Sequence, residues 1–286
     1  MLKIGIVGAE CSHAAAVAKL CNVEKCVDAR VEMIWGEKDE YAQKTAADGR
    51  IPVIVKDWRE MLGKVDGVMI DHRHAKYHFE PAKFFLSNGV PTFVDKPFTF
   101  TLAEGKELVA IARRTKTPVT SFSCVHFQQD FLCFKAAVGR LGQVLSLASA
   151  GPADIESKWG GIYFYGVHQV DAIVALLGGG VSTVQFLRRG DNAVAILTYP
   201  KGPIVTMTCI KKGYPPICWS LLGEKGVAAS SLQNDDYWMK GLPVFLKMFA
   251  KKEQPFEAKR ILAPIAVLEA MAKSLKTGKA VKVARV

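Results

Sequence analysis

Through its first 120 residues the chain alternates short β-branched runs with helical patterns, and this alternation constrains its fold more than any other feature. The runs are LKIGIV at 2–7, VEMIW at 31–35, IPVIV at 51–55, GVMI at 67–70, VPTFV at 90–94 and TPVTSF at 117–122. Between them HAAAVAKLC, EYAQKTAA, WREMLG, HFEPAKFFLSN and LAEGKELVAIARR place apolar residues at helical spacing. Strands separated by helices pair in parallel through right-handed crossovers. The pattern therefore predicts a doubly wound α/β sheet with helices on both faces. Local punctuation agrees: Thr101 followed by Glu104 reads as a capping box, and Asn88-Gly89 as a helix stop.

The pattern changes after residue 121. A helix, DFLCFKAAVGRLG, leads to the strand VLSLASA and then to the helix YGVHQVDAIVALLG. VSTVQFLRR, NAVAILTY, PIVTMTCIKK and ICWSLLGE follow, separated by turn residues such as Gly190-Asp191 and Lys201-Gly202. Consecutive strands with tight turns predict an antiparallel meander. The expected organisation is a doubly wound domain over 1–120 and an α+β domain with a mostly antiparallel open sheet over 121–286. The closing helix APIAVLEAMAKSLKTG is amphipathic and is free to pack back on the first domain.

Composition excludes several classes. No stretch approaches 18 consecutive apolar residues, so no membrane span is expected. The seven cysteines are odd in number and form no CxxC pair, which suits reduced thiols in the cytoplasm. The net charge of +11 is spread along the chain rather than blocked, so it reads as a basic surface and not as a nucleic-acid interface.

Three stretches bear chemistry. GIVGAECSHA at 5–14 takes an apolar strand into a glycine turn and a helix, as a dinucleotide-binding βα unit does. Backbone amides of Gly8, Ala9, Cys11, Ser12 and His13 are its candidate phosphate cradle. Only one of the usual three glycines is present, and an acidic Glu10 stands in the loop; a carboxylate about 4 Å from a phosphate costs on the order of 1–4 kcal/mol. VDKPF at 94–98 places Asp95 and Lys96 at the carboxyl end of a strand, where ligands of open parallel sheets bind. A partly desolvated lysine there is a candidate proton carrier. In GGIYFYGVHQVD, His168 and Asp171 share one helical face, which makes His168 a candidate acid/base and Asp171 its orienting partner.

These stretches, in this order and with the tail IAVLEAMAKSLKTGKAV, resemble the Gfo/Idh/MocA family of NAD(P)-dependent oxidoreductases. VDKPF is similar to that family's E-K-P motif, and GGIYFYGVHQVD to its G-G-x-x-x-D-x-G-x-H-x-x-D signature. The resemblance implies a Rossmann domain followed by a substrate domain whose open sheet serves a homo-oligomer, dimer or tetramer. It implies hydride transfer between NAD or NADP and a hydroxyl carbon of a sugar or cyclitol, with Lys96 and His168 handling the proton. Carried over by position, the ribose anchor is either Glu37, accepting from a 2′-hydroxyl, or Lys38, meeting a 2′-phosphate, and His72 and Arg73 join Asp95 and Lys96 beside the cofactor. His126, Trp159, Tyr165, His168 and Asp171 then face the substrate.

The chain departs from the family at three places. Phe164 stands where an Asp precedes the histidine, Gly36 where an Asp follows the second strand, and Glu10 in the phosphate loop. These keep open an alternative from another class, a catalytically silent relative that retains the framework as a ligand-binding protein. His72, His74 and His78 crowd one loop, but with no second contributor no metal site is assigned.

Overall fold

The computed structural model describes residues 1–233 and 237–286, and of Tyr237 the backbone only. The chain divides into two compact units, Met1–Phe122 with Trp238–Ile261, and Ser123–Tyr237 with Leu262–Val286.

In the first unit the predicted alternation is realised. β1 (Leu2–Val7), α1 (Ser12–Ala18), β2 (Ala29–Trp35), α2 (Asp39–Gly49), β3 (Val53–Ile54), β4 (Gly67–Ile70), α3 (Phe79–Ser87), β5 (Thr92–Val94), α4 (Leu102–Thr115) and β6 (Val119–Thr120) follow one another. The strands are parallel and lie in the order β3-β2-β1-β4-β5-β6. The strand order reverses between β1 and β4, so the crevice for a ligand opens at the carboxyl ends of those two strands. Ile4, Ile6, Val68, Met69, Phe93 and Val94 are fully buried, as a sheet covered on both faces requires. Thr101 caps α4 with Glu104 reciprocating, and Gly89 takes φ +75° just beyond α3.

Several segments are shorter than the sequence predicts, IPVIV and WREMLG among them. IPVIV pairs only over Val53–Ile54, both exposed. Pro52 lacks a donor, and β3 lies at the sheet edge where little is buried. WREMLG forms a 3₁₀ turn, Trp58–Met61, closed at its start by an Asp57–Glu60 capping box.

The second unit holds a 3₁₀ turn (Cys124–Phe127), α5 (Gln129–Val138), β7 (Val144–Pro152), α6 (Tyr163–Leu177), β8 (Thr183–Arg189), β9 (Asn192–Thr198), β10 (Ile204–Ile210), β11 (Cys218–Gly223) and β12 (Gly226–Ser231). α7 (Tyr237–Lys251), α8 (Ala258–Thr277) and β13 (Val281–Lys282) complete the chain. The second sheet runs β12-β11-β7-β10-β9-β8-β13. All neighbours are antiparallel except β10 and β7. β8, β9 and β10 form three strands of the predicted meander, but ICWSLLGE, expected as its fourth, pairs with β7 instead because β7 takes the place beside β10. Alternation along β9 buries Ala193, Ala195 and Leu197 on one face, which is how a sheet covered on one side reads. The opposite face exposes Leu187, Ile204, Leu222 and Val227.

α7 is absent from the sequence reading because Gly241 and Pro243 interrupt it. Its signal was nonetheless present: Trp238, Leu242, Phe245 and Phe249 recur at helical spacing, and all four are buried. Within the first unit Phe245 stacks on Phe93 with ring centroids 4.3 Å apart. Phe249 fills the space above Gly67, where an added Cβ would lie 2.4 Å from its ring.

Candidate active site

The turn after β1 is shaped by one glycine. Gly8 has φ +113°, and a Cβ there would lie 2.6 Å from the backbone carbon of Asp71. The loop therefore crosses the end of β4 at a distance only glycine allows. Gly36 closes the other side, since a Cβ would meet Ala9 at 2.9 Å. An aspartate at this position has no room, and the acidic function moves one residue on. Glu37 Oε2 accepts hydrogen bonds from the amides of Ala9 (2.9 Å) and Glu10 (3.1 Å). Its other oxygen, Oε1, is buried and has no hydrogen-bond partner. Lys38 lies over the Tyr41 ring, 5.4 Å from its centroid. Cys11 is the N-cap of α1 without a side-chain cap, and Ser12 begins the helix.

At the ends of β4 and β5 lies a buried charged cluster. Asp71 is fully buried, Asp95 is 2% exposed and Lys96 is 9% exposed. His13 Nδ1 lies 2.9 Å from Asp95 Oδ2 and 4.0 Å from Asp71 Oδ1. Burial works against charge on both carboxyls, but the outcomes differ. Asp71, with the Asp95 charge beside it, is pushed well above the usual carboxylate range. Asp95 is held below that range by His13, Lys96 and His78, which outweigh its burial. The pair thus divides into a neutral acid and a carboxylate, as two close carboxyls do. Burial and the two acids raise the Cys11 thiol well above its ordinary value. The peptide between Lys96 and Pro97 is cis.

The next turn is drier than a polar loop would be. His72 is 6% exposed, and burial lowers its imidazole to about 3. Its ring leans toward Trp35 and Tyr77, and its Nδ1 has no hydrogen-bond partner. His78 is fully buried, with Nδ1 2.9 Å from the Pro97 carbonyl and Nε2 2.8 Å from that of His72. It staples this turn to the segment after Lys96. Arg73 is half-buried on the same turn.

In the second unit α6 and the turn Cys124–Phe127 build a second polar group. His168 Nδ1 shares a 2.7 Å hydrogen bond with Ser123 Oγ. Asp171 Oδ2 accepts from the Ser123 amide at 3.0 Å and lies 2.8 Å from His126 Nδ1. Asp171 thus meets His126 directly, and Ser123 links Asp171 to His168. Ser123 was not singled out in the sequence, because only the tertiary fold brings the chain before the turn against α6. Tyr165 approaches His168 and Tyr214 with centroids 5.6 Å from each. Phe164 lies between Tyr165 and Trp159 at 4.9 and 6.5 Å. The half-buried rings of Trp159, Phe164 and Tyr165 thus form a run of contacts that reaches His168 through Tyr165.

A doubly wound sheet with a glycine turn after its first strand and a carboxylate after its second defines a Rossmann dinucleotide-binding framework. The model of the oxidoreductase family with an NAD-binding Rossmann fold, GFO_IDH_MocA, matches residues 2–122, so this part of the chain is similar to that family. The uncharacterized oxidoreductase YhhX of Escherichia coli (strain K12) is 37% identical over 115 residues, 37% of this chain and 33% of YhhX. YdgJ of the same organism, also described as an uncharacterized oxidoreductase, is 32% identical over 148 residues, 45% of this chain and 43% of YdgJ. The chain thus spans less than half the length of these curated relatives.

Solved structures align over the whole chain. Myo-inositol dehydrogenase from Lactobacillus casei, in complex with NAD(H) and myo-inositol, superposes with a TM-score of 0.86 at 18% identity, covering 100% of this chain and 98% of that one. Scyllo-inositol dehydrogenase from the same organism, with NAD(H) and scyllo-inositol, gives 0.85 at 13% identity with both chains fully covered. At these identities the likeness is one of fold. No helix among the described residues is long and apolar enough to cross a membrane.

Proposed function

We propose that the protein is an NAD-dependent oxidoreductase that moves hydride between the nicotinamide and a hydroxyl carbon of a sugar or cyclitol. The observation that carries the reading is Lys96, nearly buried beside Asp95 at the carboxyl end of β5, in the same unit as the Gly8 turn. Hydride leaves a carbinol carbon only as its hydroxyl loses a proton, so an acid/base must stand within hydrogen-bond reach of that oxygen. Lys96 is that group, held in place by the acidic pair behind it. His168, steadied by Ser123, is the second proton-handling residue.

The residues of the first unit fit the cofactor at the ribose. The buried, unpartnered Oε1 of Glu37 is an acceptor for a ribose hydroxyl and repels a 2′-phosphate, which favours NAD over NADP. When bound, the cofactor supplies the hydride acceptor. His72 and Arg73, on the turn after β4, border it. Trp159 and Tyr165 offer ring faces and a phenol to a polyol. The inositols named for the two Lactobacillus neighbours make cyclitols the first compounds to try.

The exposed apolar residues Leu187, Ile204, Leu222 and Val227 on the open face of the second sheet support a homo-oligomer. None of the seven cysteines is in a disulfide, in keeping with a reducing compartment such as the cytoplasm. The test is a dehydrogenase screen over a sugar and cyclitol panel with NAD and NADP. NAD-linked turnover that Lys96→Ala abolishes supports the reading.

One observation favours the silent relative instead. Glu37 already occupies the amides of Ala9 and Glu10, which a pyrophosphate would otherwise use. On that reading the protein shows no NADH fluorescence change at millimolar cofactor.

A further inference from the structure

We propose that Cys11, His13, Asp71 and Asp95 form a binding site for a thiophilic divalent cation such as zinc. The four side chains come from three segments: the loop and first turn after β1, the end of β4 and the end of β5. Their ligand atoms, one per residue, all lie within 4.8 Å of one another. Cys11 is 8% exposed, Asp71 fully buried and Asp95 2% exposed, so solvent does not compete there.

Asp71 is the second, independent observation. Both of its carboxylate oxygens are buried without a hydrogen-bond partner, and Oδ1 lies 4.0 Å from His13 Nδ1, on the side of the cluster. A buried carboxylate left in that state is costly, and either a proton or a cation must compensate it. A cation satisfies the whole group at once. One sulfur, one imidazole nitrogen and two carboxylate oxygens make a four-donor set suited to zinc, cobalt(II) or iron(II) rather than magnesium or calcium. With zinc–ligand bonds of about 2.0–2.3 Å, tetrahedral donors stand roughly 3.2–3.8 Å apart. The His13–Asp95 contact of 2.9 Å would open, and the widest separations would close by about 1 Å.

Charge balance also fits. A thiolate and two carboxylates carry three negative charges. The cation supplies two positive charges, and Lys96, whose ammonium acts on Cys11, Asp71 and Asp95, supplies the third. Binding expels the protons of the Cys11 thiol and the Asp71 carboxyl into solvent. The bound ion would tie the Gly8 turn to the ends of β4 and β5. Lys96 and His78 are the other charged or titratable groups that face the cluster.

Metal-stripped full-length protein is titrated with cobalt(II), then with zinc. The expected result is one equivalent bound, a thiolate-to-cobalt charge-transfer band, its loss on adding zinc, and a higher thermal midpoint in the zinc form. Cys11→Ser is expected to remove the band, and Asp71→Asn to weaken zinc binding more than about tenfold. Absence of stoichiometric binding overturns the proposal, as does a band that survives in Cys11→Ser, which would place the metal on another cysteine. Zinc affinity unchanged in Asp71→Asn also overturns it, leaving Asp71 as a protonated acid. Should Cys11→Ser not fold, X-ray absorption of the zinc-loaded wild type decides: one sulfur among nitrogen and oxygen ligands supports the site, and a sulfur-free shell sinks it. None of these readouts depends on NADH binding or turnover.

Discussion

Glu37 reaches back to Ala9 across the carboxyl end of the first sheet, its Oε2 2.9 Å from the Ala9 amide. One oxygen thus braces the turn that a shortened glycine pattern would leave loose, and the other is buried without a hydrogen-bond partner. Glu37→Ala removes both. A hydrogen bond to a charged group contributes about 1.5–3 kcal/mol, so NADH affinity is expected to fall about 10- to 100-fold. Fluorescence titration of the variant checks this, and an unchanged dissociation constant would remove Glu37 from the cofactor site.

Lys96→Ala is expected to lower kcat by roughly 10²–10⁴ while NADH affinity stays within about threefold. Steady-state kinetics on whichever polyol the screen identifies, paired with a binding titration, separates the two effects. Equal losses in binding and turnover would make Lys96 a structural member of its buried cluster.

Ser123→Ala deletes the hydroxyl against His168 while leaving the Ser123 amide on Asp171. A positioning role predicts about a tenfold fall in kcat and a displaced limb of the pH–rate profile, with cofactor affinity unchanged. Ser123→Thr, which keeps the hydroxyl, is expected to restore much of the activity. A profile that does not move would mean that His168 takes no part in proton transfer.

His72 makes stability depend on acid. Its folded value near 3 lies below its ordinary 6.5, so the unfolded chain binds the extra proton first. The stabilisation is complete above pH 6.5 and is lost as pH falls through about 3. Asp71 runs the other way. Its raised folded value means stability drops as pH climbs above about 4, until the folded group ionises. Urea denaturation of His72→Phe between pH 7 and 4 should show a shallower decline than wild type, by at most about 1.4 kcal/mol per pH unit. Parallel curves would show that His72 takes up its proton as readily in the native state as in the unfolded chain.

Phe245→Ala empties the stack against Phe93 and should cost about 3–5 kcal/mol. A lowered thermal midpoint accompanied by exposure of β5 amides to hydrogen exchange would confirm that α7 belongs to the first unit's core. A change confined to α7 itself would contradict it.

Much of this protein is legible in the chain as written. The β–α alternation, the Thr101–Glu104 cap, the Gly8 turn and the meander all follow from short-range periodicity and turn chemistry, which neighbouring residues carry among themselves. α7 was legible in its apolar spacing but obscured by Gly241 and Pro243. What tertiary structure alone decided is which polar groups meet. Glu37 rather than residue 36 serves the loop because Ala9 fills the space over Gly36. Asp171 serves His126 and Ser123 because α6 packs on the turn that holds them. Cys11, His13, Asp71 and Asp95 converge because parallel strands align the ends of distant segments. Local sequence encodes backbone conformation, whereas the partner of a buried charge depends on separations of tens of residues that only the folded sheet brings together.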